Sequence, residues 1–86
     1  MTLVQSEFPQ CEFRLFVAGD TSNSLEAISN LRALCQAYLP NRYTIEIVDV
    51  IQEPARALAD GIFMTPTLLR LGPLPRRRIV GTLTQR

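Results

Sequence analysis

Apolar and polar positions along this chain change period at well-marked breaks, and each break falls where turn-forming or capping residues gather. Residues 1–10 show no period and contain Pro9, which predicts a loose N-terminal arm followed by one domain over residues 11–86. Phe13-Arg14-Leu15-Phe16-Val17-Ala18 is rich in β-formers and closes on Gly19-Asp20, predicting a first strand and a turn. Thr21-Ser22-Asn23-Ser24 is a cluster of helix-capping residues, with Asn23 and Glu26 at capping-box spacing. Leu25, Ile28, Leu31, Cys35 and Tyr38 then recur at steps of three and four, predicting an amphipathic helix stopped by Pro40-Asn41, with Ser24, Arg32 and Gln36 off the apolar stripe. Tyr43 to Ile51 starts as an alternation and ends as a nearly continuous apolar run, the pattern of a strand that becomes buried on both faces.

Strand, helix and strand at this spacing make a βαβ unit, with a parallel pair and a right-handed crossover. Pro54 suits a first helical turn, Ala55-Arg56-Ala57-Leu58-Ala59 has high helix propensity, and Gly61 is a stop. After Thr65-Pro66, a third strand is predicted from Thr67 to Leu71, then a turn at Gly72-Pro73-Leu74-Pro75, and a fourth, antiparallel strand over Arg76 to Gly81. The order βαβαββ is thioredoxin-like without the last helix. In that architecture the proline before the third strand is typically cis and faces the turn after the first. Pro66 occupies the place, which favours a cis bond there over an ordinary strand opening.

Composition narrows the function class. The chain has 86 residues, 47% hydrophobic and 20% charged, with a net charge of +1. This is the profile of a globular domain and argues against bulk attraction to nucleic acid or membrane. No run approaches the roughly 20 apolar residues of a membrane span, and no signal peptide is visible. Cys11 and Cys35 are too few for a disulfide scaffold, so a cytoplasmic protein with reduced thiols is expected.

Catalytic equipment is sparse. There is no histidine, which removes the commonest general base and metal ligand. A thioredoxin-like oxidoreductase needs a nucleophilic cysteine at the start of the first helix, where the helix dipole lowers its pKa, but Gly19 to Ser24 contains none. Cys35 falls inside the helix on the apolar stripe and reads as a core residue. Asp20, Asp49 and Asp60 stand at element ends as turns and caps. No catalytic residue, cofactor or metal site is expected. Arg76-Arg77-Arg78 exceeds what the fold needs, and reads either as a solvated edge that resists aggregation or as a contact for an acidic partner or subunit surface.

Leu15-Phe16-Val17-Ala18-Gly19, Asn23-Ser24, Ile47-Val48-Asp49-Val50, Thr65-Pro66-Thr67-Leu68 and Arg77-Arg78-Ile79-Val80-Gly81, in this order, resemble the KaiB family of circadian clock proteins. The resemblance runs from about Glu12 to Thr84. A related group is the KaiB-like sensory domain of clock-output histidine kinases. The resemblance implies a non-enzymatic regulator that binds a KaiC-like hexameric RecA-type ATPase and modulates its phosphorylation cycle. Clock-associated kinases would be further partners. It also implies a metamorphic protein: the βαβ half persists while the C-terminal half is either thioredoxin-like or repacked into a ground-state fold that self-associates as a dimer or tetramer. Pro66, Gly72, Pro73, Pro75 and Gly81 are the candidate switch positions, since X-Pro bonds isomerise slowly and glycine tolerates alternative backbone geometry. Pro54 lies in the same half of the chain. Arg76, Arg77 and Arg78 are the candidate partner or subunit contacts.

The chain departs from the family pattern in having Thr82 where an acidic residue is usual. The family's C-terminal helix would begin near Thr84, so an uncovered apolar face is expected in the thioredoxin-like state. The competing readings are a thiol redox or redox-sensing protein on the same scaffold, and the excised sensory domain of a histidine kinase.

Overall fold

A computed structural model describes residues 10–81; the expected arm, apart from Gln10, lies outside the described residues. The elements are β1 (Cys11–Val17), α1 (Ser22–Tyr38), β2 (Tyr43–Asp49), α2 (Pro54–Ala59), β3 (Thr67–Gly72) and β4 (Arg77–Val80). They form one sheet in the order β2-β1-β3-β4. β1 pairs parallel with β2, while β3 runs antiparallel to both β1 and β4. This is the thioredoxin-like topology that the element order predicts.

Strand alternation divides the core between the two sheet faces. On the α1 face, Leu15 and Val17 of β1 and Leu68 of β3 pack against Ala27, Leu31 and Cys35 of the helix. On the α2 face, Phe16, Val48 and Leu69 pack against Ala57 and Ile62. Leu15, Phe16 and Val17 of β1 are buried because the strand is central, flanked by β2 on one side and β3 on the other. Every residue of β4 is exposed, so the last strand adds backbone pairing but no core side chain.

The helix differs from its expected face. Ser24, Ala27, Leu31 and Cys35 are its buried residues, whereas Leu25 is 54% and Tyr38 73% exposed. At about 100° per residue, Leu25 points well away from the Ser24–Leu31–Cys35 line. The first turn lies close against the end of β1, and small side chains allow that approach. The cap differs too: Thr21, not Asn23, is the N-cap, and its side chain accepts from the Ser24 amide. β2 ends at Asp49 rather than at Ile51, which is 68% exposed. As an edge strand it has only Val48 fully buried, so its apolar run does not reflect cover on both faces.

Candidate functional site: the cis-proline end and the arginine strand

In a thioredoxin-like sheet, the end of β1, the start of α1 and the start of β3 converge. Here Phe16 near the end of β1 pairs with Thr67, the first residue of β3, and the Thr65–Pro66 bond just before it is cis. Pro66 is buried, and its carbonyl accepts a hydrogen bond from the Gly81 amide at 2.9 Å. That bond joins one candidate switch position to another. Gly72–Pro73 and Leu74–Pro75 are also cis and make up the β3–β4 turn. Gly81 has φ of 122°, a conformation that favours glycine.

The turn after β1 is built from polar groups that satisfy each other. The Asp49 carboxylate accepts from the Gly19 amide at 3.1 Å and the Ile51 amide at 2.9 Å, tying the ends of β1 and β2 together. Buried Ser24 accepts from the Ala18 amide at 3.1 Å and from the Thr21 hydroxyl at 2.9 Å. A thioredoxin would carry its reactive thiol in this turn. The present chain places hydroxyls there and uses them as caps. Cys35 lies inside the α1-face core, where burial, then the neighbouring Cys11, pushes its thiol pKa up, opposite to the requirement for a nucleophile. Among the described residues, no group of His, Cys, Asp or Glu has the makings of a metal site.

This end of the sheet exposes apolar side chains. Ile51 follows β2 beside Gly19, and Phe63 and Met64, 85% and 63% exposed, precede Pro66. Sequence reading placed Ile51 in the apolar run of the second strand and did not single out Phe63 or Met64. The available signal was that Phe63 and Met64 stand between Gly61 and Pro66, outside any helix or strand period.

The arginines separate by strand alternation. Arg78 turns to the α2 face and donates to the Gly61 carbonyl at 3.0 Å and the Asp60 carbonyl at 3.2 Å, closing the C-terminal end of α2. Arg76 and Arg77 are exposed. With Ala59, Asp60 and Leu69, the three arginines line a cavity of about 320 Å³. Beside it runs an ion-pair chain that sequence reading did not find. Arg14 donates to Glu46 and to Asp60, each at 2.9 Å, and Arg56 donates to Glu46 at 2.6 Å. Held first by Arg56 and then by Arg14, the Glu46 carboxyl has its pKa lowered to about 2. Arg14 is raised in turn, chiefly by Glu46.

A family model described as the KaiB domain matches residues 14–86. The chain belongs to the KaiB family. It is 39% identical over 71 residues to circadian clock protein KaiB3 of Synechocystis, covering 83% of this chain and 70% of that relative. It is 41% identical to the circadian clock oscillator protein KaiB of Prochlorococcus marinus, covering 85% of this chain and 62% of that one. For the KaiB of Synechococcus elongatus the identity is 40%, with 85% of this chain and 72% of the relative covered.

Among solved structures, the KaiB-family chain is similar to the N-terminal domain of Synechococcus elongatus SasA, with a TM-score of 0.77 at 18% identity over 96% of this chain and 79% of that domain. It is also similar to the Drosophila thioredoxin Deadhead, with a TM-score of 0.70 at 18% identity over 85% of this chain and 70% of that one. These two likenesses establish the fold alone. In this KaiB-family chain, helix caps occupy the turn where a thioredoxin has its thiol. No helix among the described residues is long and apolar enough to cross a membrane.

Proposed function

We propose that this KaiB-family chain is a circadian-clock-type regulator that docks on a KaiC-like hexameric RecA-type ATPase and modulates its phosphorylation cycle. The observation that carries this reading is the KaiB-domain match over residues 14–86, on a scaffold whose first helical turn holds caps in place of a thiol. The exposed arginines Arg76 and Arg77 supply an acidic-surface contact, and Arg78 sets the position of their strand through α2. Clock-associated kinases are further partners in this reading.

The same proposal includes a fold switch in the C-terminal half and a self-associated resting form, dimer or tetramer. Pro66, Gly72, Pro73, Pro75 and Gly81 border β3 and β4, and β4 gives no side chain to either core cluster. Releasing that strand therefore leaves both clusters largely intact. The test is incubation with a KaiC-like ring and nucleotide, followed by size-exclusion chromatography. Co-elution that develops over minutes to hours and weakens in Arg76→Glu/Arg77→Glu supports docking with a switch. Persistent separation after long incubation overturns it.

A further inference from the structure

α2 is weakly held by apolar contact. It is a six-residue helix that buries one side chain, Ala57, while Leu58 is 73% exposed. Ile62, just after the helix, is the other buried side chain between Pro54 and Ile62. Beneath the segment lie Phe16, Val48 and Leu69. Isolated helices shorter than about 12–15 residues are marginal in water, so α2 persists through what it docks against.

Charged groups tie the helix to the sheet at both of its ends. Arg56 of α2 donates to Glu46 of β2 at 2.6 Å, and Asp60 at the helix end accepts from Arg14 of β1 at 2.9 Å. Arg14 also donates to Glu46, so the four side chains form one alternating chain, Arg56–Glu46–Arg14–Asp60. Arg14 and Glu46 each have two partners, and a network of this kind holds better than isolated surface pairs. The Arg14 and Asp60 side chains are 25% and 22% exposed, which limits screening of that pair. The chain also crosses a boundary: Arg14 and Glu46 belong to the βαβ unit, whereas Arg56 and Asp60 belong to the half that follows it.

We propose that the Arg56–Glu46–Arg14–Asp60 chain is an electrostatic latch that holds α2 on the βαβ unit. Its strength sets how often α2 lifts away and uncovers Phe16, Val48 and Leu69, making them available to another packing arrangement. As a control on repacking of the C-terminal half, the latch rests on the fold-switch reading; as the hold on α2, it does not.

Amide hydrogen exchange on the full chain, read by NMR, tests the latch. The Asp60, Gly61 and Ile62 amides donate to the Arg56, Leu58 and Ala57 carbonyls, so they are protected while α2 is formed. In the wild type they should exchange at least about tenfold faster than the amides of β1 and with a weaker urea dependence, the mark of a local opening. Raising NaCl from about 0.05 M to about 1 M should speed them about threefold relative to β1, a measurement that needs no variant. Glu46→Gln/Asp60→Asn removes both carboxylates at nearly constant size; it should speed the three amides about tenfold and abolish their salt response. Arg76→Gln removes a charge that has no ion pair among the described residues, and should leave them within about twofold of wild type. Exchange of the three amides only together with β1, or wild-type rates in the double variant, overturns the proposal. A second, slowly interconverting set of C-terminal-half signals that grows in the double variant ties the latch to repacking. Faster α2 exchange without that second set counts against the fold switch and leaves the latch standing.

Discussion

The Arg78 guanidinium donates to the Gly61 carbonyl at 3.0 Å, joining the last strand to the end of α2 across the sheet edge. Its second bond, to the Asp60 carbonyl, lies next to the carboxylate that pairs with Arg14. All three arginines of the run are exposed, and Arg78 is tied to the end of α2 through its guanidinium.

Replacing Arg78 by alanine removes charge-assisted bonds to two carbonyls at an exposed site, a loss of about 1 kcal/mol. For a domain of this size that lowers Tm by about 4–8 °C. Arg76→Ala and Arg77→Ala should stay within about 0.5 kcal/mol of wild type. Equal thermal effects at all three positions would contradict the division.

Ser24 and Thr21 act as a pair. The Thr21 side chain caps the Ser24 amide, and its hydroxyl donates to the buried Ser24 oxygen. Either alanine substitution should cost about 1–2 kcal/mol in urea unfolding. The double variant should lose less than the sum, with a coupling of at least about 0.5 kcal/mol. Strict additivity would mean that the two hydroxyls work independently.

Glu46 predicts a pH dependence with a definite sign. Its folded pKa of about 2 lies below the ordinary value of 4.5, because Arg56 and Arg14 favour the charged form. The stabilisation is therefore present above the unfolded pKa and disappears as pH falls from about 4.5 toward about 2. The pair is exposed and screened, so the expected effect is a Tm loss of a few degrees between about pH 6 and about pH 3. Glu46→Gln should reduce that pH-dependent loss, and added salt should diminish it. A variant that tracks wild type at every pH would exclude the ion pair as its source.

The elements were legible because their signals are local. Periods of two and of three to four, a capping cluster and a proline before β3 depend on near neighbours, and the helix and strand boundaries mostly follow them. The thioredoxin-like order followed from the elements, since a βαβ unit has one favoured hand. Less legible was which small residues the fold would bury. Ser24 and Ala27 carry no hydrophobic signal comparable to Leu25, yet only they fit where α1 approaches β1.

What the sequence by itself determined is the order of elements, the absence of histidine and of a thiol at the first helical turn, and the place of Pro66 before β3. Tertiary structure alone decided that Arg14 meets Asp60 across a separation of 46 residues, that Arg78 fastens α2, and that Arg70 stands opposite Arg77. The physical reason is register. Local propensity reaches about four residues along a helix or to the alternate residue of a strand, whereas strand order and alignment choose which distant charges share a face.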